Sequence, residues 1–301
     1  MNVESARLAA QQSSAAGKRH GYFAVGAGPP IVLLHSSLNS KSQWSALAER
    51  LAARFRVIAL DLCGYGDNDM PVSGSSFTLD DEVRLVTEHL DRLVEPHARV
   101  HVVGHSYGGL VALRLAQRHG HRVASLSLYE PVAFRLLDDE DTALMCVGHI
   151  AERVLRLIAE GRRRDAAEAF VDFWSGDGSY AAMPLPVQTS IGSRLDKVPL
   201  DFRAAACWPR GPDDVRAIVA PTLLLGGSRS PAVAQRILSV LADALPDNRR
   251  PAAFDSGHIG PLTEADRINP WIEAFVDICA ERETIHHARV KTASIRAGML
   301  S

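Results

Sequence analysis

Cysteine is scarce in this 301-residue chain: there are four, at positions 63, 146, 207 and 279. They are scattered, with no C-x-x-C and no Cys/His ligand spacing, which argues against a zinc site or a disulfide framework. So few in so long a chain reads as a cytoplasmic protein with reduced thiols. No apolar run approaches the roughly 20 residues that a membrane span needs. The stretch before Gly21 is rich in Ala, Ser and Gln and has no apolar centre, so no secretory signal is expected. Neither sign of charge dominates: 33 Lys and Arg face 35 Asp and Glu, for a net charge of −2. Nothing there selects nucleic acid or an anionic membrane as a partner. Internal repeats are absent. So are a G-x-x-x-x-G-K-[ST] loop and a G-x-G-x-x-G turn after a strand, the signatures of phosphate and dinucleotide sites.

What is present is an ordinary globular composition, 47% hydrophobic and 23% charged, enough for a sizeable core. Short apolar runs alternate with helical patterns. Tyr22–Val25, Ile31–Leu34, Arg56–Leu60, Val100–Val103, Val123–Tyr129 and Pro221–Leu225 read as strands, and a further short one precedes Asp255. Continuous apolar runs of this length suit strands buried on both faces. Thr78, followed by Asp80, Asp81 and Glu82, reads as the start of a helix. Between about Val132 and Asp214 the strands stop. Leu144–Ile158 and Ala166–Trp174 look amphipathic there, and Pro184, Pro186 and Pro199 interrupt the helical pattern beyond Trp174. The expected fold is α/β, a mostly parallel doubly wound sheet with an inserted helical cap. Residues 20–131 and 215–283 form the core, 132–214 the cap, and 1–19 and 284–301 flexible tails. In such sheets ligands bind beyond the C-terminal strand ends, where His35, Asp61, Ser106, Glu130, Ser230 and His258 stand.

Gly104-His105-Ser106-Tyr107-Gly108 matches G-x-S-x-G. The match gains force from its setting, because an apolar strand enters it and a helix leaves it at once. The serine then tops a sharp turn, and glycine at 104 and 108 lets strand and helix cross closely. A Gly-rich turn or a phosphate site at a helix N-terminus is the competing reading.

Leu34-His35-Ser-Ser, Asp61-Leu-Cys-Gly-Tyr-Gly66, Gly104-His-Ser-Tyr-Gly-Gly109 and Ser256-Gly-His258 together resemble the α/β-hydrolase superfamily. The resemblance spans about residues 20 to 282, and the helical insertion falls where that superfamily carries its cap. It implies a serine nucleophile, Ser106, and a histidine base late in the chain, His258. His105 is expected to point into the fold and His35 to be structural. The superfamily's usual acid follows the strand after the cap, but Gly226-Gly-Ser-Arg-Ser-Pro231 places Ser230 there. Some members carry the acid one strand earlier, and Glu130 in Leu128-Tyr-Glu-Pro131 fits that position. Asp255 lies close to His258 in sequence but is too constrained to reach its far nitrogen, and Asp61 is a weaker candidate. The resemblance also implies an oxyanion hole of two backbone N–H groups, from Tyr107 and from Ser37, with Leu38 second. Ser36 stands where the pattern has glycine.

These residues imply a cofactor-independent and metal-independent serine hydrolase acting on a small or medium carboxylic ester. Lactone, thioester or carbon–carbon bond hydrolysis are alternatives with the same triad, and a non-catalytic small-ligand-binding protein is an alternative of another class. Met145, Phe170, Phe173, Trp174, Tyr180 and Met183 are candidates to line the pocket, although helical spacing fits a cap core as well. The expected partner is a small-molecule substrate, with no nucleic acid and no membrane, in a monomer or homodimer.

Overall fold

The computed structural model describes residues 21–72, 76–208 and 211–298, with side chains as far as Ile285. The tail expected over residues 1–19 lies outside the described residues. Among the described residues seven strands form one sheet: β1 (Tyr22–Val25), β2 (Pro30–Leu34), β3 (Arg56–Leu60), β4 (Val100–His105), β5 (Val123–Tyr129), β6 (Thr222–Leu225) and β7 (Asn248–Arg249). Their spatial order is β1-β3-β2-β4-β5-β6-β7. Only β1 runs antiparallel to its neighbour; every other pairing is parallel. The central strands β4 and β5 are buried along their whole length, which is why they read as unbroken apolar runs rather than as alternation. The strand expected before Asp255 is reduced to a two-residue β7 and an isolated bridge between Gly227 and Phe254.

Two layers of helices cover the sheet. On one face pack α2 (Leu79–Leu93), α3 (Tyr107–His119) and α10 (Ala232–Ala244). On the other pack α1 (Ser45–Leu51) and α12 (Ala265–Gly298). A capping box starts α2, where Asp81 accepts from the Thr78 N–H at 2.7 Å. The last helix runs on to Gly298, past Glu283 where its apolar pattern fades.

Between β5 and β6 the chain builds an all-helical cap: α4 (Thr142–Ala159), α5 (Arg163–Ser175), α6 (Ser179–Ala182), α7 (Leu185–Arg194) and α8 (Val198–Ala206). The prolines there start helices instead of interrupting them. Pro186 and Pro199 sit in the first turns of α7 and α8, where the missing N–H costs nothing. The cap has its own small core around Val154, Leu157, Ala167, Tyr180 and Leu195. A short helix α9 (Asp213–Arg216) leads back to β6, and α11 (Gly260–Thr263) follows the His258 loop. Among the described residues no helix is long and apolar enough to cross a membrane.

Candidate active site

Strands β4 and β5 lie side by side with His105 opposite Tyr129. The next residue on each strand is therefore Ser106 and Glu130, and both turn sharply there. Ser106 has φ 55° and Glu130 φ 44°, the left-handed region that costs a non-glycine residue energy and is found where a site demands it. At Ser106 the cost is offset by the crossing geometry. A Cβ on Gly104 would lie 2.6 Å from the Gly108 carbonyl, and one on Gly108 would lie 2.4 Å from that of Leu34. Only glycine lets β4 and α3 approach so closely and lift Ser106 above the sheet.

The geometry brings Ser106, His258 and Glu130 into one line. Ser106 Oγ is 2.9 Å from His258 Nε2, and His258 Nδ1 is 2.7 Å from Glu130 Oε2. The Gly227 N–H donates to the other carboxylate oxygen, Oε1, at 2.6 Å. The Glu130 carboxylate thus accepts from both sides, and the imidazole carries its proton on Nδ1 with Nε2 facing the serine. A Cβ on Gly226 would come 3.1 Å from Glu130 Oε1, and one on Gly227 would strike the Ser256 carbonyl at 2.2 Å. The glycine pair leaves the carboxylate its space.

Ser230 is not part of this line. Its Oγ is buried and has no hydrogen-bond partner among the described residues. Asp255 pairs instead with Arg229 at 2.9 Å, and Asp61 with Lys41 at 2.5 Å. Two further histidines are buried nearby as neutral rings. His35 donates from Nδ1 to the Ser36 carbonyl and accepts the Leu62 N–H on Nε2; burial lowers its pKa to about 4. His105 donates to the His258 carbonyl at 2.8 Å and so anchors the loop that carries the base. Burial holds it well below the ordinary histidine value. Tyr129 adds a second anchor, donating to the Gly257 carbonyl at 2.8 Å.

The side chains open on a narrow cleft with a free volume of only about 20 Å³, lined by Ser37, Ser106, Tyr107 and Asp201 and by the apolar Val132, Phe134, Phe170, Trp174, Val198, Phe202 and Ala205. Tyr107 is the first residue of α3, so its N–H has no acceptor within the helix. Of the aromatic and Met candidates, Phe170 and Trp174 reach the cleft. Met145 is half exposed on the outside of the cap, Phe173 borders a separate surface groove, and Tyr180 and Met183 pack in the cap core. Trp174 stacks on the His258 ring at 4.2 Å between centroids and 27° between planes.

Sequence reading missed the polar side of this cleft. Lys197 and Asp201 come from the cap and meet Glu82 of α2: Lys197 Nζ is 2.5 Å from Asp201 Oδ1 and 2.9 Å from Glu82 Oε1. Burial opposes the ammonium charge, but the two carboxylates outweigh it and raise the Lys197 pKa. Among the described residues no group of three or more His, Cys, Asp or Glu side chains is arranged to hold a metal ion.

Comparison with known proteins agrees with this architecture. Uncharacterized protein Rv2715 of Mycobacterium tuberculosis is 36% identical over 226 residues, covering 59% of this chain and 65% of that one. A soluble epoxide hydrolase of Corynebacterium sp. is 33% identical over 129 residues, covering 42% of this chain and 43% of its own. The chain spans about half the length of the first curated relatives it matches. Among solved structures, the enol-lactonase from Burkholderia xenovorans LB400 superposes with a TM-score of 0.66 at 24% identity, over 85% of this chain and 95% of that one. The alpha/beta hydrolase fold family matches residues 29–265, and this chain belongs to it.

Proposed function

We propose that the protein is a cofactor-independent serine hydrolase that transfers the acyl group of a small or medium carboxylic ester to water. The observation that carries this reading is the continuous contact from Ser106 through His258 to Glu130. A serine hydroxyl becomes nucleophilic only beside a base, and the base needs a partner that holds its tautomer and stabilises the imidazolium. Ser106 Oγ attacks the carbonyl carbon while its proton passes to His258 Nε2. The oxyanion is received by the N–H groups of Tyr107 and Ser37. Protonated His258 then gives its proton to the departing alcohol. A water, deprotonated in turn by His258, releases the acid from Ser106.

The cleft supports an uncharged acyl chain. Its walls are mostly apolar, its one ionisable acid is Asp201, and no Lys or Arg lines it to attract an anionic substrate. A relative carries the name epoxide hydrolase, yet opening an epoxide through an alkyl-enzyme ester takes a carboxylate nucleophile, and position 106 is serine. A binding protein on this scaffold needs no acid behind the histidine; Glu130 on the His258 nitrogen argues for the enzyme instead.

A fluorophosphonate located by mass spectrometry, with p-nitrophenyl ester turnover in parallel, tests the reading. Wild type is expected to label at Ser106 and Ser106→Ala to lose both label and turnover. Glu130→Gln is expected to lower kcat by about 10⁴-fold, because the amide favours the wrong tautomer. An unlabelled wild type that turns over no ester would sink the reading.

A further inference from the structure

Ser37 and Tyr107 lie on different segments of the core, yet their side chains end in the same buried charge cluster. Ser37 Oγ donates to Asp201 Oδ2 at 2.5 Å, and Tyr107 Oη donates to Glu82 Oε1 at 3.3 Å. Lys197 bridges the two carboxylates. Its ammonium is wholly buried and sits 4.4 Å from the Phe77 ring and 5.0 Å from that of Tyr107. Tyr65 Oη also donates to Asp201 Oδ2, at 2.5 Å, and burial keeps the Tyr65 and Tyr107 phenols protonated as donors.

The cluster closes over a loop that needs holding. Leu38, next to Ser37, has φ 62° without being glycine. The cap grips it a second time through Arg194, which donates to the Leu38 carbonyl at 3.0 Å. Burying an ammonium is costly even when paired, and well-packed apolar side chains generally seal such a seam at least as well. A contribution to stability alone therefore does not account for it.

We propose that Lys197 is a positioning residue: through Asp201 and Glu82 it fixes the backbones of Ser37 and Tyr107, so that the oxyanion hole is complete only when the cap is seated on the core. The proposal rests on the serine-hydrolase reading above. It makes the cap part of the catalytic geometry as well as the roof of the cleft. Ser37 and Tyr107 would touch the oxyanion; Lys197 would act only through them.

The test uses the full chain as wild type, Lys197→Met, Ser37→Ala and the double variant. Three quantities are read for each: Tm, the rate of fluorophosphonate labelling at Ser106, and kcat and KM for p-nitrophenyl acetate. Ser37→Ala keeps the N–H and loses only the tether; it is expected to hold the wild-type Tm and KM while kcat and labelling fall about 10-fold. Lys197→Met is expected to lower both rates by about 10- to 100-fold, within the range of a lost oxyanion donor. The double variant should be no slower than Lys197→Met, since both changes release the same donor. A cluster that only stabilises the fold would lower Tm and leave kcat per folded molecule at the wild-type value, and that result overturns the proposal. Should Lys197→Met fail to fold, Ser37→Ala decides alone, and an unchanged kcat refutes the tether. If wild type labels and the variants label equally fast, the positioning role falls and the hydrolase reading stands. If wild type neither labels nor turns over ester, both fall.

Discussion

Ser106, Glu130 and His258 stand on loops at the C-terminal edge of the core sheet, whereas Trp174 and Asp201 reach the same cleft from the cap, with Lys197 buried behind Asp201. The two halves treat polarity differently. Inside the core, His35 and His105 are buried neutral, satisfied largely by backbone groups close to the strand ends. At the seam the structure buries a full ammonium between two carboxylates from different layers. Neutral groups bonded to backbone of the core itself need nothing from the cap. Buried charges depend on partners that must arrive from elsewhere, so the seam exists only when cap and core are docked.

That contrast can be broken first at the seam. Glu82→Ala strips one carboxylate from a buried pair and leaves Lys197 under-compensated. The expected loss is about 3–5 kcal/mol, read from urea denaturation, and a loss under 1 kcal/mol would show that the seam is solvated. Next comes the core. Burial lowers His35, and likewise His101 of β4, whose Nδ1 lies 2.8 Å from Ser125 Oγ, to about 4, below the value near 6.5 of an unfolded chain. The unfolded state therefore binds more protons between pH 6.5 and 4, and stability present above pH 6.5 is lost as pH falls through that window. Each ring is expected to contribute on the order of 2 kcal/mol to the loss, measured as the fall in unfolding free energy from pH 7 to pH 4. A flat profile would place both rings in water. The smallest effect is at Trp174, where replacement by Leu removes the stack on His258. A ring face over a forming imidazolium is worth about 0.5–2 kcal/mol, so kcat/KM should fall about 2- to 30-fold while Trp174→Phe retains most of it. Equal effects of Leu and Phe would mean that the ring only fills space.

The same contrast explains what was legible in the sequence. Ser106 is announced by a strand, two glycines and a helix within a dozen residues, and Glu130 by its place at the tip of the next strand. The parallel sheet and the helical insertion are legible in apolar runs that start and stop. Lys197 carries no such local cue. It belongs to a segment read only for its proline, and its partner Glu82 is 115 residues away in the chain. A lysine in a polar helical stretch is ordinarily a solvated one, and only the seating of the turn before α8 against Glu82 of α2 makes it otherwise. The cap aromatics were equally ambiguous: Phe170 and Phe173 differ by less than one helical turn, yet one faces the cleft and the other borders the surface groove.

The pairing of His105 with Tyr129 has a mechanical consequence. Because Ser106 and Glu130 are the next residues on adjacent strands, the separation of nucleophile and acid is gauged by the single β4–β5 ladder. An acid at position 230 would have been referenced across two ladders, the second of them ending in the short β6–β7 edge. Moving the carboxylate inward by one strand shortens the chain of tolerances between Ser106 and the acid, and leaves the outer edge of the sheet coupled to the triad through the Gly227 N–H and through the His258 loop, which bonds to residues 226–229.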